Sequence, residues 1–388
     1  MMIALKLAYR NLVGAGLRTF LNVLVLSFAF LLIIFYNGWI DGWNRQGIKD
    51  TKDWETGNGQ FWVPGYDKYN PFTIEDSHKP LNDSIQRLIG EGVITPVLIT
   101  QATIYPQGRM QAVLVKGIDP DQHILKLPSH LLKDGKEKYR AIIGNRMAKT
   151  TKLKKGDKVT MRWKDKNGSL DVREFEIADI FKCDVPSVDN GQIYVDINLL
   201  REMTGLENEA TILVVNKDAK INKLEGWNFK SNDVLLADFE KLIKSKKGGG
   251  MVMQGLLLLI ALLAIFDTQV LSIFRRQKEI GTYIALGMTR WQVVGIFTVE
   301  GAVYSIFAVI LGAIYGIPLL YYLHKIGITL GTPDMGLTIA ETIYPYFSLK
   351  LVISTIIFVV IAATIVSFLP ARKISKLDPV KALKGKLQ

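Results

Sequence analysis

Arg275-Arg276-Gln277-Lys278-Glu279-Ile280-Gly281, continuing through Ala285-Leu286-Gly287-Met288-Thr289-Arg290, is a charged, helix-compatible run between two long apolar stretches, residues 251–274 and 293–323. Each flank can cross a hydrocarbon core of ~30 Å, which takes ~20 apolar residues. The run between them, 275–291, is too short for a domain and reads as a tight turn between two membrane helices. Its Arg and Lys content puts it on the cytoplasmic side. A short charged helix there is placed to touch a cytoplasmic partner and relay a push into both attached helices.

Two more apolar blocks, 19–40 and 349–369, bring the expected spans to four. The first is longer than a signal-peptide core and reads as a permanent anchor. At its far end Gly38-Trp39-Ile40-Asp41-Gly42-Trp43 has the composition of an aromatic interfacial belt. Residues 1–18 mix Ile3, Leu5, Leu7 and Leu12 with Lys6, Arg10 and Arg18, which suits an amphipathic helix on the cytoplasmic face. Residues 324–348 form a short outer loop with Asp334 and Glu341, and 370–388 a basic cytoplasmic tail. Both termini are thus expected inside.

The polar stretch 41–247 reads as a soluble α+β domain between the first two spans. Strands are expected at 60–63, 97–105, 110–116, 140–143, 157–163, 172–181, 193–195 and 210–216, and helices at 83–88, 145–150 and 198–203. The Asn167-Gly168 pair signals a tight hairpin turn at 164–169. Gly248-Gly249-Gly250, after Lys244, Lys246 and Lys247, reads as a flexible joint back to the membrane. The predicted fold class is therefore an α-helical membrane protein of four transmembrane helices with a large α+β extracytoplasmic domain.

Within the spans, Gly301, Ser305, Ala308, Gly312 and Gly316 recur at steps of three and four, a small-residue face for close helix contact in lipid. Asp267 sits two turns from the end of the second span; a helix–helix hydrogen bond is the favoured role, a proton or substrate site the alternative. The formal charge of +12 comes largely from cations beside membrane ends, with no basic run interleaved with stacking aromatics, so nucleic acid is not an expected partner. The single Cys183 excludes an intrachain disulfide. The sequence has no Gly-x4-Gly-Lys-Ser/Thr loop, no His-Glu-x-x-His or Cys-x-x-Cys pattern and no Gly-x-Ser-x-Gly elbow. No catalytic residue and no metal ligand is predicted, and no cofactor in this chain.

Arg276-x-x-Glu279-Ile280-Gly281-x4-Ala285-Leu286-Gly287-x3-Trp291, with Phe297 and Glu300-Gly301 downstream, resembles the FtsX-like, or MacB-type, family of ABC transporter permeases. So do the start Ala8-Tyr9-Arg10-Asn11-Leu12 and the tail Leu369-Pro370-Ala371-Arg372-Lys373-x3-Leu377-Asp378-Pro379-Val380. In the soluble domain, Gly117-Ile118-Asp119-Pro120 and Leu153-x-x-Gly156-Asp157-Lys158-Val159 are similar to the lipoprotein-releasing LolC/LolE type.

The resemblance implies a type VII ABC architecture in the bacterial inner membrane. Two permease subunits, homologous or identical, would bind a separate ATPase dimer that holds ATP and Mg. It assigns the coupling helix to the 275–291 run. Arg276 and Glu279 would anchor it electrostatically, Ile280 and Leu286 would pack into the ATPase, Gly281 and Gly287 would permit close approach, and Arg275 and Ala285 are further coupling residues of the same run. In the lipoprotein-releasing branch acyl chains enter a cavity lined by the first two spans, here Phe28, Leu31, Ile34, Phe35, Met251, Met253, Leu257 and Leu258. The expected function is lipoprotein extraction from the outer leaflet, and the alternative is mechanotransmission to a periplasmic hydrolase or efflux partner. The hairpin turn at 164–169 is shorter than the hook that recruits a periplasmic chaperone, so that partner stays open.

Overall fold

The computed structural model of the chain describes residues 16–133, 135, 137–329 and 342–376. Most of the amphipathic segment expected at 1–18, the acids Asp334 and Glu341, and the tail after 376 lie outside the described residues. Two units are present: one built from described residues up to Trp43, Leu242–Ile328 and those from Ile343 on, the other from Asn44–Lys241 with the described ends of 329–342.

Helix α1 (Leu17–Thr51) continues well past Ile40, where the sequence suggested an exit. The unit from Asn44 to Lys241 carries α2 (Asp83–Gly90), α3 (Asn145–Thr151) and α4 (Ile197–Thr204). They are followed by α5 (Ala237–Arg275), α6 (Gln277–Ala285), α7 (Arg290–Ile326) and α8 (Leu349–Ala371). Among the described residues four helices, α1, α5, α7 and α8, are long and apolar enough to cross a membrane.

Two expectations about the polar ends of these helices are corrected. The glycine triplet is no loose joint, because α5 runs unbroken through Gly248-Gly249-Gly250. A helical glycine costs about 1 kcal/mol relative to alanine, but the contacts of this turn favour continuity. A Cβ on Gly250 would fall 2.0 Å from the Tyr36 ring, and Lys247 Nζ donates to Asp41 Oδ1 at 2.6 Å. Nor is the Gly38–Trp43 stretch a free aromatic belt. Trp43 is buried, and the Phe347 ring and Tyr344 carbonyl occupy the space where Gly38 and Gly42 would carry a Cβ.

The bundle core gathers Leu26, Phe30 and Ile33 of α1, Ala261 and Ile265 of α5, Tyr304 and Ala308 of α7, and Val359 and Ala363 of α8. The small-residue stripe of α7 serves two neighbours. Gly301 lies against Ser367 of α8, whereas Gly312 and Gly316 receive Phe30 and Leu31 of α1; Ser305 is buried between them. Asp267 takes no part in this packing: it is exposed on α5.

In the other unit nine strands form one sheet in the order β11-β1-β10-β3-β4-β8-β5-β7-β6. They are β1 (Gln60–Trp62), β3 (Ile94–Ile104), β4 (Gln111–Ile118), β5 (Arg140–Gly144), β6 (Lys158–Lys164), β7 (Leu170–Phe181), β8 (Gln192–Asp196), β10 (Ile212–Val215) and β11 (Asn228–Lys230). A small pair, β2 (Lys79–Pro80) with β9 (Glu209–Ala210), stands apart. β6 also pairs with β3, Ala102 opposite Trp163, so six strands from β3 to β6 close on themselves. Closure removes the exposed edges that invite aggregation.

Period-two alternation sorts the apolar residues onto two faces. One face joins Leu98, Val115, Ile143, Met161, Phe175 and Ile193 to α3 and α4. The other holds Val97, Ile99, Ile118, Ile142, Tyr194 and Val214. Cys183 belongs to this second cluster, where burial pushes its thiol up to about 12. At the β6–β7 turn Asp165 Oδ1 accepts from the backbone amides of Asn167 and Ser169, at 2.9 and 2.8 Å.

Candidate functional site: the charged turn between two apolar helices

Three local signals build the turn at 275–291. Arg276 leaves helical geometry and separates α5 from α6. Gly287, with φ +98°, closes α6 in a conformation that L side chains rarely adopt. Thr289 then opens α7 with a capping box: its hydroxyl accepts from Gln292 N, and the Gln292 side chain accepts from Thr289 N at 2.9 Å.

The Arg276 guanidinium sits at the centre. Nε donates to Glu279 Oε2 at 2.8 Å, Nη1 donates to Glu300 Oε2 at 2.9 Å, and the group lies 4.9 Å from the centroid of the Phe297 ring. Glu300 is buried, so its charge in a low-dielectric site has a hydrogen-bonded counter-ion. Ile280 is fully buried beside Ile273, Val293, Val294, Phe297, Ala371 and Ile374. Residues from α5, α6, α7 and α8 therefore meet beneath the turn.

Burial divides the predicted coupling residues in two. Arg275, Glu279, Ala285, Leu286 and Gly287 are exposed, as are Lys278, Thr282 and Trp291. Ile280 and Gly281 are buried, and Arg276 is committed to two carboxylates of its own chain. Ile280 is therefore not available to pack into a partner, and Arg276 is not a free charge for one. Both hold the turn onto the bundle. Glu300 and Phe297 enter the sequence reading only as family-pattern residues; their roles as acceptor and platform are seen only when a turn of α7 lies beside Arg276.

The expected lipid cavity is also divided. Phe28, Met251 and Met253 are exposed, with Phe35 and Leu257 half-buried. Leu31, Ile34 and Leu258 are buried in the bundle, Leu31 against Gly316, so these three do not line an open surface of this chain. Beside Gly301, both amide atoms of Gln269 and the Ser367 hydroxyl are buried without a hydrogen-bond partner among the described residues. Asp267 has no hydrogen bond or ion pair among the described residues, so the helix–helix bond favoured from the sequence is not found among them.

Residues 251–379 match the FtsX-like permease C-terminal family. The FtsX-like segment spans α5 to α8 and contains the whole charged turn. Over 268 residues, 64% of this chain, the protein is 25% identical to an uncharacterized ABC transporter permease, MJ1507, of Methanocaldococcus jannaschii. Over 131 residues, 34% of this chain, it is 30% identical to YknZ, an uncharacterized ABC transporter permease of Bacillus subtilis. The matches span 63% and 29% of those two relatives. Among solved structures, the extracellular domain of the noncanonic ABC-type transporter YknZ from Gram-positive bacteria aligns with 45% of this chain and 98% of its own. That alignment has 16% identity and a TM-score of 0.29. The FtsX-like match and the four apolar helices mark a multi-pass membrane protein.

Proposed function

We propose that this chain is a non-catalytic permease subunit of an ABC transporter, moved by a separate cytoplasmic ATPase dimer that binds ATP and Mg. One observation carries the reading. The inner half of the 275–291 turn is clamped to the bundle through Arg276, Glu300 and Ile280, while Lys278, Leu286 and Trp291 face outward. A partner gripping the outward half would load α5 and α7 together, because the turn is short, helical and hydrogen-bonded at both ends. In this arrangement the turn and both termini are cytoplasmic, and the β-rich unit lies outside a bacterial inner membrane. A second permease subunit, homologous or identical, completes the assembly.

The proposed cargo is a lipoprotein drawn from the outer leaflet, with the exposed Phe28, Met251 and Met253 as adaptable apolar surface. A second reading, mechanotransmission to a periplasmic hydrolase or efflux partner without lipid transport, is favoured by the burial of Leu31, Ile34 and Leu258. That burial removes three residues from any surface open to acyl chains.

Leu286→Asp tests the coupling. Leu286 is 80% exposed, so the variant is expected to fold as the native chain does and to lose its co-purifying ATPase. Retention of the ATPase at native stoichiometry would overturn the proposal. Mass spectrometry of the native complex then separates the cargo readings: an acylated lipoprotein supports the first, a hydrolase or adaptor protein the second.

A further inference from the structure

The β-rich unit holds a cavity lined wholly by its own residues. Strand register builds its floor, setting Lys116 opposite Ile99 on β3 and opposite Tyr194 on β8. Trp54, Glu55, Trp62 and Tyr66 line the remainder. Its volume is about 70 Å³, room for about five waters or a ligand of that size.

Lys116 is the anomaly there. The residue is 8% exposed, yet among the described residues its one ion pair is with Glu55, whose Oε1 lies 3.9 Å from Nζ, outside hydrogen-bond reach. Among the described residues Lys116 Nζ donates no hydrogen bond. An ammonium carries three donors, and a buried charge with only one distant counter-ion is poorly compensated. Burial pushes the amine below the ordinary lysine range, and Glu55 opposes that shift.

Four of the surrounding side chains are held by hydrogen bonds of their own. Tyr194 Oη donates to Gln192 Oε1 at 2.7 Å, and Trp62 Nε1 donates to Gln60 Oε1 at 2.8 Å. Gln60 Nε2 donates to the Glu55 carbonyl at 3.0 Å, while Ser187 Oγ donates to Glu55 Oε2 at 2.6 Å and fixes that carboxylate. What the cavity lacks is an acceptor for Lys116. Lys68 also contributes to the lining, with its ammonium 4.7 Å from the centroid of the Tyr69 ring.

We infer that this cavity binds a small monocarboxylate, either free or as the C-terminal carboxylate of a peptide, with Lys116 as its ion-pair partner. The aromatic walls at Trp54, Trp62, Tyr66 and Tyr194 surround a short apolar tail. The inference is independent of the permease reading, since every residue it uses lies in the β-rich unit.

Isothermal titration of the full-length protein in detergent tests it, at constant ionic strength in chloride. The probes are butyrate, its neutral isostere butyramide, the peptide Gly-Ala-Ala-Val and the same peptide amidated. Saturable heat from butyrate or the free-terminus peptide, absent with both amides and lost in Lys116→Met, is the expected result. Butyrate alone identifies a free acid as the source, and the peptide alone a chain terminus. No saturable response to either carboxylate, or equal binding of butyramide, overturns the inference without recourse to any variant. An undiminished response in folded Lys116→Met does so as well.

Discussion

Arg276, half-buried, and Lys116, buried, are cations drawn out of solvent, one in each unit, and their surroundings treat them in opposite ways. Arg276 has a carboxylate at hydrogen-bond distance on two of its nitrogens and an aromatic ring beneath it. Lys116 has one carboxylate, at 3.9 Å, and an open cavity. The planar fork of arginine suits fixed, multidentate pairing, whereas a lysine ammonium is a point charge on a flexible stem. The first environment is a finished joint. The second is complete only when something enters.

Removing the cation should therefore have unequal consequences. Arg276→Met takes from buried Glu300 the guanidinium that pairs with it, and removing one partner of a buried pair costs up to about 3–5 kcal/mol. A chemical-unfolding series in detergent should show a loss of that order; a loss below about 1 kcal/mol would mean that the Arg276 pair is not what holds the turn to the bundle. Gly301→Ala comes next and strikes the same joint sideways. Its new Cβ would lie 1.9 Å from Ser367 Oγ, and overpacking of this kind costs about 1–3 kcal/mol. Because Glu300 is the adjacent residue on α7, displacing α7 from α8 also draws the acceptor away from Arg276. Pairing the variant with Ser367→Gly should restore most of the loss, and no rescue would place the strain elsewhere. Lys116→Met leaves behind only Glu55, which Ser187 still holds. Replacing a poorly paired buried charge with an apolar side chain is often neutral or stabilising. Thermal unfolding should show an unchanged or raised midpoint, and a clear fall would show that Lys116 is structural.

The difference between these two sites also marks how far the sequence could be read. Residues 251–274, 293–323 and 349–369 announce their helices by unbroken apolarity, and the Asn167-Gly168 turn by chemistry that few other structures need. The exposed half of 275–291 was legible for the same reason: local composition decides it. Its buried half was not, because Ile280 reads identically whether it meets a partner or its own bundle. Only the crossing of α7 and α8 beneath the turn settles which. The glycine triplet misleads because propensity is a weak prior against a tertiary contact, here Tyr36 seated on Gly250. Closure of the sheet through Ala102 and Trp163 joins residues far apart in the chain and leaves no local trace. Lys116 does leave one: it interrupts the alternating row Leu114, Lys116, Ile118 where an apolar residue is expected. A lysine on the buried side of a strand is a question that the strand pattern poses and the cavity answers.

Glu279 tests the comparison at its weakest point, with the smallest expected change in stability. It shares Arg276 with Glu300, but its side chain is 54% exposed, so its half of the clamp is screened by water and salt. Exposed pairs of this type contribute about 0–1 kcal/mol. Glu279→Gln should therefore unfold within about 1 kcal/mol of the native protein, because Glu300 still receives the Arg276 proton. Glu279→Lys goes further: it sets a third cation beside Arg276 and Lys278 and inverts the charge offered outward. If the outward face engages an ATPase, ATP hydrolysis by the reconstituted complex should lose its link to transport in Glu279→Lys and keep it in Glu279→Gln, with both variants folded. Equal coupling in the two would confine Glu279 to a marginal role in the joint and move the contact surface to Leu286 and Trp291.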